Sequence, residues 1–266
     1  ELCMKELYAC QKLSTGPNFI TFLGQKYGYR PFPPKIEESE FQQLLKAAEN
    51  SEDRATLERW FKLDTNAIPK EYILQPITSI LPNYRNQSNP ELRKAASGDW
   101  WSCFERMQMA LRKAAIKVLG KDKQQKYVMS VTEDEIRRGV ITAASPEKHC
   151  FWFKRVISDL NKNIGDKKVG SFIDKVWGKD TVDEEAQQYL KTLREADLPN
   201  VLPEKNINVY NVKWSAQGID PKQEQSHDRY IKNLCQDFYS VLTTMIENGI
   251  SEKQSEESNN EEIFDE

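Results

Sequence analysis

The chain has 266 residues, a formal net charge of −3, and 30% charged against 38% hydrophobic residues. That length suits one large or two modest domains, and the interleaved charge excludes the global basic field that draws nucleic acid. No apolar run within the chain approaches the ~18 residues that a membrane-spanning helix needs.

The opening segment Leu2-Cys3-Met4-Lys5-Glu6-Leu7 reads as the interior of an amphipathic helix, so the chain is expected to be a fragment with more sequence upstream. Leu2, Leu7, Cys10 and Leu13 form its stripe, and Ser14-Thr15-Gly16-Pro17-Asn18 breaks it. Phe19-Ile20-Thr21-Phe22-Leu23 follows as a short continuous apolar run. A strand buried on both faces of a parallel sheet reads this way. Helix, turn and buried strand make an αβ unit of a doubly wound fold, so the fold class is α/β.

After the strand comes a glycine-punctuated, aromatic and basic turn, Gly24 to Arg30, then Pro31, Pro33 and Pro34, which prevent regular structure. Glu38 or Ser39 opens a helix carrying Phe41, Leu44, Leu45 and Ala48. A second helix follows Ser51-Glu52-Asp53-Arg54 and carries Leu57, Trp60 and Phe61. Tyr72-Ile73-Leu74 is extended, because the residue before a proline avoids the helical region. Asn83 to Ser97 is a polar connection. Trp100, Trp101, Phe104, Met107, Leu111, Ala115 and Val118 then recur at helical spacing.

Thr132-Glu133-Asp134-Glu135 has a capping-box pattern. Phe151, Phe153, Val156, Ile157 and Leu160 fit the apolar face of another helix, and Asp183 to Glu195 a short one. Asn206 to Trp214 is a strand, with Tyr210, Val212 and Trp214 on one face. His227 to Asn248 is a long amphipathic helix striped by Ile231, Leu234, Phe238, Leu242 and Met245, with Gly249 as its stop. The Glu-, Ser- and Asn-rich remainder reads as a disordered acidic linker.

Chemistry-bearing motifs are scarce. Gly165 to Ser171 has the glycine spacing of a phosphate loop but lacks its lysine, and no dinucleotide-binding glycine signature occurs. His149 and His227 have no partners at metal-ligand spacing, so no metal and no cofactor is expected. The five cysteines are odd in number and never spaced C-x-x-C. They fit free thiols in a reducing compartment, hence a cytoplasmic location. In open α/β sheets ligands bind beyond the carboxyl ends of strands. Lys26, Tyr29 and Arg30 lie at such an end and are the candidates for contact with a partner or ligand.

The stretches GPNFITFLGQKYGYRPFPPKI, LERWFKLDTNAIPKEYILQPI, SVTEDEIRRGV, FWFKRVI and NVYNVKWSAQGIDP together resemble the region N-terminal to the NTPase module of the NACHT and WD repeat domain-containing proteins. Related segments occur in telomerase-associated protein and similar signalling ATPases. The resemblance implies that residues 1–82 are the C-terminal portion of a truncated TIR-like or flavodoxin-like α/β domain. A mainly helical region at 83–200, a strand plus long helix at 201–249 and a disordered linker at 250–266 would follow. It implies a non-catalytic protein-interaction and effector region of a multidomain intracellular signalling scaffold. Its partners would be proteins, with self-assembly through an NTPase module outside this chain. TIR-like domains can also cleave NAD with a glutamate on the helix after a comparable strand. Glu37, Glu38 and Glu40 are the catalytic candidates for that alternative, and a structural spacer is the second alternative.

Overall fold

The computed structural model describes residues 2–176, 178–216 and 218–264. In chain order, α1 (Leu2–Leu13) and β1 (Phe19–Thr21) are followed by β2 (Lys35–Glu37), α2 (Glu38–Ala47), α3 (Ser51–Trp60), β3 (Phe61–Asp64), β4 (Glu71–Leu74), α4 (Ile77–Ile80), α5 (Pro90–Val118) and α6 (Lys121–Val128). Then come α7 (Val131–Ile136), α8 (Pro146–His149), β5 (Cys150–Ser158), α9 (Glu184–Thr192), α10 (Leu198–Val201), β6 (Ile207–Lys213) and α11 (Gln225–Phe264). The chain divides into two compact units: one formed by Glu1–Gly28 with Thr132–Glu266, the other by Tyr29–Val131.

The first unit is built on a parallel sheet of order β1-β5-β6. Phe19 pairs with Cys150 and Thr21 with Trp152, while Trp152 to Ser158 run alongside Ile207 to Lys213. The expected parallel strand is therefore present and the protein is mixed α/β, but β1 is shorter than its apolar run and lies at the edge of the sheet, with Phe19 and Ile20 half-buried and not covered on both faces. The central strand β5 corrects the sequence expectation of a helix through Phe151 to Leu160. Its first four residues are all buried. A strand covered on both faces loses the alternation that would distinguish it from a buried helix. Cys150 and Trp152 pack under Leu190, Leu193 and Leu198. On the opposite face Phe153 stacks against Phe22 at 5.4 Å and meets Phe238 of α11 at 5.5 Å. Burying aromatic side chains on both faces removes several hundred Å² of apolar surface from water, at about 25 cal/mol per Å².

Helix α11 does not stop at Gly249, nor are residues 250–264 without regular structure: both expectations are corrected by a single helix from Gln225 to Phe264. The remainder of the expected linker, residues 265–266, lies outside the described residues. Gly249 has another reason to be glycine. A Cβ there would lie 2.4 Å from the Thr15 carbonyl oxygen and 2.9 Å from Gly16 Cα. In return, a Cβ on Gly16 would meet Ile246 Cα at 3.3 Å. The two glycines let the α1–β1 turn lie directly on the helix backbone.

The second unit carries an antiparallel sheet of order β2-β4-β3, with Ile36 opposite Tyr72 and Phe61 opposite Leu74. Phe61, expected on the second helix, instead opens β3 immediately after Trp60 ends α3. The Asn50 side chain caps α3 by accepting from Asp53 N–H at 2.8 Å. Phe41, Leu44, Leu57, Trp60, Met107 and Leu111 are fully buried together. Trp60 meets Trp100 edge-on at 4.8 Å, and Phe41 stacks on Tyr72 at 4.1 Å. The adjacent tryptophans of α5 part company: Trp100 joins the core while Trp101 is 47% exposed. Neighbours on a helix point about 100° apart, so only one of the two can face the core.

These units do not follow the expected boundaries at 82 and 200. Strand β1 pairs with β5, far along the chain, and residues 29–131 form a body of their own. The two ends of that body are adjacent, since Val131 N–H donates to the Tyr29 carbonyl at 3.0 Å.

Candidate functional site at the strand carboxyl ends

Beyond the carboxyl ends of β1 and β5 the first unit has a cleft of about 290 Å³. The turn after β1 forms one wall. Gln25 takes the place of a further strand residue: its side-chain amide donates to the Ile157 carbonyl at 2.8 Å and accepts the Ile157 N–H. β1 is only three residues long, so this glutamine satisfies backbone groups of β5 that would otherwise be orphaned. Asp174, nearly buried, accepts the Tyr27 N–H at 2.5 Å and the Gly28 N–H at 3.1 Å. Gly28 makes that geometry accessible with φ of 99°, a left-handed conformation that favours glycine. The buried Tyr27 hydroxyl donates to Glu133, which also pairs with Arg137 at 2.6 Å. Gln25, Asp174 and Glu133 thus hold the turn. Motif reading does not single them out, because their partners come from distant sequence.

The three contact candidates separate. Lys26 is exposed at the cleft, its ammonium donating to the Gly170 carbonyl at 2.7 Å. Tyr29 and Arg30 belong to the second unit. Tyr29 is 50% exposed and stacks on Phe104 at 5.8 Å, and burial raises its hydroxyl pKa. Arg30 is buried, so its guanidinium is not presented at the surface, and its carbonyl accepts from the Gln108 amide.

The cleft also holds a residue the sequence reading passed over. Arg155, on β5, places its guanidinium 5.0 Å from the Phe172 ring centre. Its Nε is buried with no hydrogen-bond partner among the described residues. On the opposite face of β5, Lys154 lies 4.6 Å over the Trp152 ring. Burial, reinforced by the charge of Arg194, lowers the Lys154 pKa, and burial also lowers that of Arg194.

The catalytic candidates lie in the second unit, at the junction of β2 and α2. Glu37 is exposed and accepts from Ser39 Oγ at 2.6 Å, and Glu38 is half-buried. Glu40 is 3% exposed, receives the Tyr127 hydroxyl and pairs with Lys126 at 2.8 Å. The helix that carries Glu38 and Glu40 follows a strand of the antiparallel sheet, not of the parallel one.

A second cavity, about 490 Å³, lies at the amino ends of β5 and β6 beside α11. His149 there holds the Gly16 carbonyl at 2.7 Å, and Lys148 pairs with Glu252 at 2.9 Å. His227 is buried, accepting the Asp220 N–H at Nδ1 and donating from Nε2 to the Lys213 carbonyl. Both histidines serve backbone groups. Among the described residues no cluster of three His, Cys, Asp or Glu side chains is arranged to hold a metal ion. No helix there is long and apolar enough to cross a membrane.

Comparison with known proteins finds relatives along nearly the whole chain. It is 30% identical over 99% of its length to NACHT and WD repeat domain-containing protein 2 of Mus musculus, and equally to that of Homo sapiens. It is 30% identical over 90% of its length to NACHT domain- and WD repeat-containing protein 1 of Mus musculus. The chain spans only 14–16% of the length of these curated relatives. No protein-family model and no solved structure matches it.

Proposed function

We propose that this chain, a homologue of one region of the NACHT and WD repeat domain-containing proteins, is a non-catalytic protein-interaction and effector region of a multidomain signalling NTPase. The observation that carries the reading is similarity along nearly the entire chain to a small part of much longer proteins whose names denote nucleotide-binding and repeat modules. A region of that kind works by presenting surfaces, with nucleotide-driven assembly supplied by the other modules. The fold, a TIR-like α/β body in this reading, acts in the cytoplasm. Lys26, exposed in the first unit, and Tyr29, exposed in the second, each form a contact point of their own unit. The dominant ionic groups near the catalytic candidates are committed to structure, as the Glu40 pairing with Tyr127 and Lys126 illustrates.

The test is proximity labelling in cells with this chain fused to a labelling enzyme, comparing the natural sequence with the Lys26→Ala/Tyr29→Ala double variant. Loss of a discrete set of labelled proteins is expected, with the fold retained by circular dichroism. An identical labelled set would sink the contact role. Incubation with NAD forms the second arm: release of nicotinamide by the natural chain, abolished by Glu38→Gln, would replace this reading with an enzymatic one.

A further inference from the structure

The cleft beyond β1 and β5 has the composition of an anion site. Its charged lining side chains are Lys26 and Arg155, and no carboxylate lines it. Thr21, Thr132 and Ser171 bring hydroxyls to the same walls. The Thr21 Oγ1 already accepts the Leu23 N–H at 3.2 Å, so its own proton is oriented away from that bond. The buried, unpartnered Arg155 Nε is the unusual feature. A buried N–H without an acceptor costs about 1–3 kcal/mol, more on a charged group. That nitrogen is closed off by protein, so what Arg155 offers the cleft it lines is the rest of its guanidinium, whose Nη2 lies 3.6 Å from a Cβ built on Gly24.

Phosphate suits this donor set better than a carboxylate does. Its oxygens can take the guanidinium fork, the lysine and the hydroxyls simultaneously. The cleft of about 290 Å³ is larger than a bare phosphate needs. At its wall Phe22 is 54% exposed, although its ring packs against both Phe153 and Phe238, at 5.4 and 5.9 Å, in a three-ring cluster. A fixed aromatic surface beside a cationic pocket fits a flat ring joined to a phosphate. We propose that this cleft binds a phosphate ester of a ring-bearing small molecule, of the nucleotide class, with Arg155 and Lys26 on the phosphate and Phe22 against the ring. The proposal shares Lys26 with the interaction role above but rests on Arg155 and Phe22, which that role does not use.

Gly24 provides a probe of the cleft itself. A Cβ built there meets Arg155 Nη2 at 3.6 Å, ordinary contact, so Gly24→Leu projects a side chain toward the site without a backbone clash. Arg155→Met keeps the aliphatic stem near Phe172 and removes the charge. The experiment is calorimetric titration of the 266-residue chain with ADP and, separately, inorganic pyrophosphate. ADP binding is expected to weaken at least ~10-fold in Arg155→Met and to be abolished in Gly24→Leu. Pyrophosphate should bind more weakly than ADP and compete with it, which separates the phosphate contribution from the ring's. Amide resonances of Thr21 to Lys26 in the natural chain should move on ADP addition, a readout that survives if either variant fails to fold. Failure of the folded natural chain to bind either probe at millimolar concentration overturns the proposal. ADP binding unchanged in a folded Arg155→Met overturns it too, as does tighter binding of a phosphopeptide than of ADP.

Discussion

Gly249→Ala separates two readings of the same residue. If Gly249 were only a weak point in a helix, alanine would stabilise the protein by about 1 kcal/mol through helix propensity. The structure predicts the opposite sign. The new Cβ would lie 2.4 Å from Thr15 O and 2.9 Å from both Thr15 C and Gly16 Cα. These are backbone atoms that no rotamer change can move aside. Carbon contacts are comfortable at about 3.5–4.0 Å, so helix and turn must separate by ~1 Å. Overpacking of that kind costs about 1–3 kcal/mol, leaving a net loss of up to ~2 kcal/mol after the propensity gain. The separation also strains the His149 bond to Gly16 O at 2.7 Å. Gly98, inside α5 with nothing within 4 Å of a built Cβ, is the internal control, and Gly98→Ala should stabilise. Urea titrations give both signs, and hydrogen exchange at Ser14 to Gly16 reports the local opening. If Gly249→Ala raises the urea midpoint as Gly98→Ala does, with exchange at that turn unchanged, the close-approach argument is wrong.

Three further outcomes follow from buried polar groups. Burial pushes the Glu105 carboxyl up from 4.5 to about 7, and its Oε2 is buried with no hydrogen-bond partner among the described residues. The folded form holds this proton more tightly than the unfolded one, so the associated stability is complete below pH 4.5 and is lost as pH rises through about 7. Glu105→Gln should therefore stabilise by ~1 kcal/mol above that window, a value discounted for partial solvent exposure, and urea titrations at both ends of the pH window test it. Tyr127→Phe leaves the buried Glu40 with Lys126 alone and should cost about 1.5–3 kcal/mol in the same assay; a change within ~0.5 kcal/mol would remove Tyr127 from the account of that site. The Cys150 thiol is buried and raised to about 12, whereas Cys3, Cys10 and Cys235 are exposed. Alkylation at neutral pH followed by peptide mass spectrometry should modify those three rapidly and Cys150 only after unfolding.

Much of the fold was legible where local pattern and final environment agree. The Phe19 run, the Tyr72 segment before its proline, the β-branched stretch ending at Trp214 and the α5 stripe all occupy the expected kinds of element. Where both faces of an element are covered, pattern fails. In β5, Phe151, Phe153 and Ile157 are apolar because they are buried, and with Val156 their spacing happens to satisfy a helix as well. Missing that strand hid the partner of β1 and with it the division of the chain. Gly249 was misread because a local signal, glycine after a helical stripe, cannot reveal a turn arriving from residues 15 and 16. The candidate site was legible only in part. Its place at a strand end and Lys26 follow from the sequence, whereas Arg155, Gln25 and Asp174 acquire meaning only once β5 stands beside β1.

The short bond between Val131 N–H and the Tyr29 carbonyl bears on the order of folding. Before residues 29–131 fold, β1 must find β5 across a very long loop, and the closure entropy of such a loop slows the search. Once they fold, their joined ends act as a clasp that shortens the effective loop between β1 and β5 from well over a hundred residues to roughly 25–30. The parallel sheet is then expected to form late and to depend kinetically on the body interposed between its strands. Replacing that body with a short glycine-serine bridge from Gly28 to Thr132 would substitute a permanent clasp, and the first unit should then acquire its sheet faster than it does in the natural chain.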